Sequence, residues 1–207
     1  IKSELTHVKK AVIVGGGYIG LETAAALSKM GVVVTVLEAT DRILNRVAAP
    51  ELSAFYARIH NEHGVTILTD TCAVQFCGDR QVTQVRCDNE RYIDADMVII
   101  GAGIVPNVEL AQSAHINVDN GIEVNQYCVT SDPNIVAVGD CCNFPSERYQ
   151  CRMRLESVPN CNEQSKVAAA YLCGKPVVYR ALPWFWSDQY DIKLQIAGIS
   201  TGYDEIV

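Results

Sequence analysis

The run Gly15-Gly16-Gly17-Tyr18-Ile19-Gly20 constrains this chain more than any other feature. Its form, G-x-G-x-x-G, is weak evidence alone and strong evidence in the right setting. Here an apolar stretch of strand length, residues 11–14, leads into it. A helical pattern over residues 18–30 leads out, with Ile19, Leu21, Ala24, Ala26 and Leu27 apolar, and Gly31 closes it. Residues 32–37 are apolar and mostly β-branched, which reads as a strand buried on both faces. Together these make one βαβ unit of about 30 residues. In that unit Gly15 permits a tight turn, Gly17 lets the backbone approach a pyrophosphate, and Gly20 lets helix and strand pack closely. The N–H groups where Tyr18 and Ile19 open the helix then meet the phosphate charge.

Glu38 closes the second strand, about twenty residues beyond the motif. A carboxylate there accepts both hydrogen bonds of an adenosine ribose and repels a 2′-phosphate, which favours NAD over NADP. Arg42 and Arg46 stand against that preference. Either one beside the ribose would accept a 2′-phosphate, and either one facing solvent would be a plain surface charge.

Further along, residues 50–63 read as a helix opened by Pro50, with Leu52, Phe55 and Ile59 on one face. Residues 65–68 are a short strand. Three short runs at 72–76, 82–87 and 91–93 are separated by the turn-forming pairs Gly78-Asp79 and Asp88-Asn89. They read as an antiparallel meander inserted between parallel strands. Residues 97–100 are another buried strand and run into Gly101 and Gly103, which join the candidate cofactor-binding set. Beyond Pro106 the pattern predicts a short helix at 108–114 and strands at 122–124 and 134–138. A helix at 161–173, an aromatic cluster Trp184-Phe185-Trp186 and an alternating strand at 192–197 follow. The fold class is α/β: a Rossmann-like parallel sheet with an antiparallel β-meander, followed beyond Pro106 by a second region of short strands and helices.

Composition narrows the function. Acidic residues number 24 and basic residues 17, a net charge of -7, which argues against a general nucleic-acid binder. No apolar run approaches the ~20 residues of a membrane-spanning helix. The nine cysteines include no C-x-x-C pair, and only four histidines accompany them, so a zinc site is not expected. Their odd number fits reduced thiols in a cytoplasm.

Three segments, GGGYIGLE (15–22), DMVIIGAGIVPN (96–107) and TSDPNIVAVGD (130–140), resemble the flavoprotein pyridine-nucleotide oxidoreductases. Two more, RLESVPNCNEQ (154–164) and PWFWSDQ (183–189), resemble the NADH-dependent ferredoxin and rubredoxin reductases in particular. The resemblance implies residues 1–104 as an NAD-binding domain, 105–182 as the second half of a split FAD-binding domain, and 183–207 as the start of a C-terminal domain. It implies an internal fragment without the first FAD segment. Such a fragment is expected to bind FAD weakly or not at all by itself, and its incomplete domain to be partly disordered, rearranged or self-associated.

The same resemblance implies the remaining site residues. Asp140 would hold the ribityl or pyrophosphate region of FAD; the alternative is a helix or turn cap. Val158 would offer its N–H to the flavin's pyrimidine edge; the alternative is core packing. Glu22 would face the nicotinamide carboxamide, or be a solvated acid in the first helical turn. Trp186 would sit near flavin and nicotinamide, or in a core. Arg148, Arg152 and Arg154 form either a partner-docking patch or a solvated loop. The activity implied is electron transfer from NADH through FAD to an iron–sulfur protein, a ferredoxin or rubredoxin, with no catalytic nucleophile. A peroxide- or nitrite-linked NADH flavoprotein and a non-catalytic NAD-binding module like apoptosis-inducing factor are the other readings.

Overall fold

A computed structural model describes residues 5–200 and 202–205. It divides into two compact units, each taken separately below. The first holds Ile1–Gly103, Ser187–Leu194 and Ser200–Val207; the second holds Ile104–Trp186 and Gln195–Ile199. Described residues of the stretch 183–207 occur in both units.

The first unit opens with strand β1 (Lys10–Val14), helix α1 (Tyr18–Lys29) and strand β2 (Val33–Leu37). Gly31, at φ 82°, turns the chain after the helix in a conformation that disfavours side chains. Helix α2 (Pro50–Glu62) and strand β3 (Thr66–Leu68) follow. Strands β4 (Ala73–Gly78), β5 (Val82–Cys87) and β6 (Tyr92–Asp94) form the antiparallel meander, in the order β4-β5-β6. Strand β7 (Met97–Ile100) then returns to the main sheet, whose order is β3-β2-β1-β7 with every pairing parallel. The chain therefore steps outward from β1 through β2 to β3, then reappears on the other side of β1. That reversal opens a crevice at the carboxyl ends of β1 and β7, the place where open α/β sheets take ligands.

Ala11, Ile13, Ala24, Leu27, Val34 and Val36 fill the core between this sheet and α1. Val12, Leu37, Val85 and Cys87 pack the sheet against the meander. Two strands expected to be buried are only partly so. In β2 Val33 is exposed, and β7 is an edge strand with Ile100 exposed, because it pairs with β1 on one side only.

The apolar face expected of α2 is also displaced. Phe55 faces solvent, while Ser53, Tyr56 and His60 are buried. The physical reason is that this face meets polar partners. Arg42 donates to Ser53 Oγ at 2.7 Å, and His60 bonds Gln189 at 2.9 Å, so a helix side can be buried without being apolar.

The second unit contains helix α3 (Glu109–Ser113) and strands β8 (Ile122–Glu123), β9 (Cys142–Ser146) and β10 (Cys151–Met153). These strands form one sheet in the order β10-β9-β8. Residues 134–138 are not the expected strand. Their backbone bonds back onto the preceding turn, with Thr130 N to Ile135 O and Ala137 N to Cys128 O, leaving a single bridge between Val129 and Val136. Helix α4 (Val158–Leu172) begins three residues earlier than expected, because Ser157 caps it by accepting from Asn160 N and Pro159 suits its first turn. Strands β11 (Trp184–Gln189) and β12 (Ile192–Ala197) form a two-stranded sheet whose turn end, Ser187–Leu194, belongs to the first unit.

Candidate functional site

The crevice is built from the glycine loop. Gly15 has φ 108°, and a methyl there would collide with the carbonyl oxygen of Gly101 at the end of β7. A methyl on Gly20 would collide with the carbonyl oxygen of Gly15. These two glycines let the loop, α1 and β7 crowd together. Gly17 differs: a methyl there would meet nothing within 4 Å. Its backbone faces open space, the cradle that a close-lying pyrophosphate needs. Gly17 is also the N-cap of α1 and, as a glycine, offers no side-chain cap to that helix start. Ile19 is 70% exposed at this end. The residues present fit a dinucleotide phosphate.

Glu38 stands at the end of β2, beside this loop. Its Oε2 accepts the Gly16 N–H at 2.8 Å, and its Oε1 accepts the Thr40 N–H at 2.9 Å and the Thr40 hydroxyl at 2.8 Å. A carboxylate has about four acceptor positions. Three are engaged within the protein, so Glu38 is a loop-organising residue as well as a candidate ribose acceptor. The Thr40 hydroxyl also lies 3.0 Å from the Arg42 carbonyl. Its single proton can turn there and release a second acceptor position on Glu38.

The two arginines separate cleanly. Arg42 spends its guanidinium on Ala48 O at 2.8 Å, Asn45 O at 3.1 Å and Ser53 Oγ at 2.7 Å. It staples the loop 39–49 and is not a free phosphate ligand. Arg46 is exposed, and its guanidinium lies 3.3 Å from where a Gly103 methyl would be. Gly103 follows β7, on the opposite side of β1 from Glu38. Arg46 therefore lies toward the β7 side of the crevice and away from Glu38.

Glu22, half-buried on α1, accepts the Ser187 hydroxyl at 2.6 Å through Oε1. A solvated helix acid does not describe it. Ser187 in turn takes a bond from Gln189 Nε2 at 3.1 Å, and Gln189 Oε1 lies 2.9 Å from His60 Nε2. Sequence reasoning missed this chain of groups. Its only trace was the polar Ser187-Asp188-Gln189 run closing an otherwise aromatic strand.

In the second unit, Asp140 is exposed within the short helical turn Gly139–Cys141, and its Oδ1 accepts from the Cys161 thiol at 3.3 Å. Asp140 and the first turns of α4 thus share one surface. Burial and the Asp140 carboxylate both push the Cys161 thiol up. Val158 opens α4 and is 59% exposed, so core packing is not its role. Its N–H belongs to the first turn, which the helix's own ladder leaves unsatisfied. Trp186 is 44% exposed, with its ring 5.7 Å from that of Trp184, so it is a surface aromatic rather than a core one. Arg152 and Arg154 do not form a free patch. Arg152 bonds Val124 O and Asn143, and Arg154 bonds Asp140 O and pairs with Glu156 at 2.8 Å.

All nine cysteines are free thiols. Among the described residues no group of histidine, cysteine and carboxylate side chains could hold a metal, and no helix is long and apolar enough to cross a membrane.

A parallel sheet with a glycine loop and a crevice at this position is the dinucleotide-binding type of α/β fold. The family model for pyridine nucleotide-disulphide oxidoreductases matches residues 1–165, and one for a reductase C-terminal region matches 184–207. The chain belongs to the pyridine nucleotide-disulphide oxidoreductase family, whose cofactors are FAD and a pyridine nucleotide. It is 49% identical over 210 residues to putidaredoxin reductase of Pseudomonas putida, aligned over 100% of this chain and 50% of that protein. It is 42% identical to rhodocoxin reductase of Rhodococcus erythropolis, over 99% of this chain and 48% of that protein. The crystal structure of a ferredoxin reductase from Rhodopseudomonas palustris superposes with a TM-score of 0.97 at 39% identity, covering 100% of this chain and 51% of that one. The chain spans about half the length of the curated relatives it matches.

Proposed function

We propose that the protein containing this chain passes electrons from NADH through FAD to a small iron–sulfur protein of the ferredoxin or rubredoxin kind. The observation that carries this reading is the open cradle at Gly17 with Glu38 beside it, in a chain that is 49% identical to a putidaredoxin reductase. A solved relative, 49% identical with a TM-score of 0.92, is a covalent putidaredoxin reductase–putidaredoxin complex, which supports an iron–sulfur partner.

When bound, NADH supplies a hydride and FAD divides the electron pair into single electrons. The residues of this chain bind and orient. Gly15 and Gly20 hold the loop, and the N–H groups at Gly17, Tyr18 and Ile19 receive the pyrophosphate. Glu38 accepts the adenosine ribose, taking its second acceptor position from Thr40. Arg46, beside Gly103 and near Gly101, adds positive charge on the β7 side. Glu22 accepts from the nicotinamide carboxamide. Asp140 accepts from flavin hydroxyls, Val158 N–H donates to the flavin's pyrimidine edge, and Trp186 supplies an aromatic face. The domain limits are 1–104, 105–182 and 183–207, and the setting is cytoplasmic.

The test is reconstitution of the intact gene product with FAD. NADH should reduce a ferredoxin or rubredoxin, and NADPH should do so far less well. NADH oxidation that needs peroxide or nitrite and ignores iron–sulfur proteins would replace this reading with a peroxide- or nitrite-linked one. NADH binding with no turnover would replace it with a non-catalytic module. Sedimentation of the 207-residue chain reads out self-association.

A further inference from the structure

Four side chains behind α1 form a one-directional hydrogen-bond chain that ends on Glu22. His60, Ser187 and Gln189 are each 0% exposed, so their polar atoms have no recourse to water. An amide oxygen only accepts, so the His60 Nε2 that faces Gln189 Oε1 at 2.9 Å carries the proton. His60 Nδ1 is then an acceptor, and the Tyr190 hydroxyl lies 3.1 Å from it. Gln189 Nε2 donates to Ser187 Oγ at 3.1 Å, and Ser187 spends its only proton on Glu22 Oε1 at 2.6 Å. Every donor points the same way, and the sequence ends on an anion. Such chains polarise each bond in turn, and the terminal charge-assisted bond is the strongest.

A hairpin could be anchored to a helix by apolar contacts alone, and Ile192 and Leu194 do pack against Leu21, Ile43 and Tyr56. The polar chain does something those contacts do not: it fixes one oxygen of a half-exposed carboxylate. Among the described residues no group bonds the other oxygen, Oε2. Glu22 lies on α1 about 7 Å along the axis from the phosphate-binding turn, within reach of a ligand seated there. Glu38, off the end of β2, claims the adenosine end.

We propose that Ser187, backed by Gln189 and His60, is a positioning residue that holds Glu22 so that its second oxygen accepts the carboxamide N–H of the nicotinamide. The proposal rests on the NADH-binding reading above and adds the residues that set the geometry of its nicotinamide end. Ser187 touches no nucleotide and acts only through Glu22.

The experiment compares two probes on the 207-residue chain, NADH and ADP-ribose, which lacks the nicotinamide ring. Ser187→Ala should weaken NADH five- to tenfold and leave ADP-ribose within twofold. Glu22→Gln should show the same contrast, and adding Ser187→Ala to it should cause no further loss, because the serine acts through the carboxylate. Ser187→Thr, which keeps the hydroxyl, should restore NADH affinity. If Ser187→Ala does not fold, the nearly isosteric Ser187→Cys should give the same contrast reduced to two- or threefold. Equal losses for both probes, additive effects in the double variant, or a lowered melting temperature with both affinities unchanged would each overturn the proposal. If the unmodified chain binds neither probe, the nucleotide-site reading itself fails and this one falls with it.

Discussion

Glu38 Oε2 accepts the Gly16 N–H at 2.8 Å, which ties the candidate ribose acid to the glycine loop. The two halves of the candidate site are therefore mechanically one. Glu38→Ala removes the acceptor for Gly16 and for Thr40 as well as the ribose contacts. Each charge-assisted bond contributes about 1.5–3 kcal/mol. NADH affinity should fall roughly tenfold or more, and urea unfolding should show a parallel loss of about 1–3 kcal/mol. A binding loss with no change in stability would show that the carboxylate does not organise the loop.

Gly17 and Gly20 should separate binding from folding. Gly17 has φ −79°, which alanine tolerates, and a methyl there meets only open space. Gly17→Ala should change stability by no more than about 0.5 kcal/mol while weakening NADH at least about tenfold. A methyl on Gly20 collides with the Gly15 carbonyl, so Gly20→Ala should lower stability by about 1–3 kcal/mol or more. Urea unfolding and NADH titration of both variants read out the contrast.

The buried imidazole of His60 makes stability depend on pH. Burial holds its pKa below the ordinary range, with the neighbouring His63 adding to the effect and the Gln189 bond opposing it. As pH falls, the unfolded chain takes up the proton first, near its own value of about 6.5. The contribution is complete above that value and is lost as pH falls through it toward the folded value. Urea unfolding between about pH 8 and 5 should show stability declining at the acid end, and His60→Gln should flatten that part of the profile. A native profile as flat as the variant's would contradict the assignment.

Thiol reactivity should sort by burial. Cys151 and Cys173 are exposed, whereas Cys87, Cys128 and Cys142 are buried; burial pushes Cys128 up to about 11 and Cys142 higher still. An aromatic disulfide reagent should label Cys151 and Cys173 first and reach the buried three only after denaturation. Replacing Cys141 and Cys142 by Ala should leave NADH-dependent flavin reduction in the intact protein within a few-fold. A loss of several orders of magnitude in a folded, FAD-loaded variant would reveal a thiol role.

The glycine loop and the crevice it lines were legible because their signals are local. Glycine spacing, a helix start and an acid at a strand end all follow from short stretches of chain, and the β1-α1-β2 unit and the meander lie where the pattern placed them. Misreadings arose where a distant partner decides. The face of α2 depends on Arg42, which bonds Ser53 from a loop, and on Gln189, which bonds His60 from 129 residues away. The segment 134–138 has strand composition but spends its backbone on 128–130. Arg42 and Arg46 are alike in sequence, and only the loop's path makes one a staple and the other a cation beside Gly103. The chain from His60 to Glu22 spans residues 22 to 189, and no periodicity marks it.

We propose that the crevice around Gly17 and Glu38 selects NADH. Calorimetric titration of the 207-residue chain with NADH and with NADPH, at one ionic strength, tests it directly. Saturable one-to-one binding of NADH is expected, at least about tenfold tighter than NADPH, because the 2′-phosphate meets the Glu38 carboxylate. Equal or tighter binding of NADPH, or no binding of either nucleotide, would contradict it.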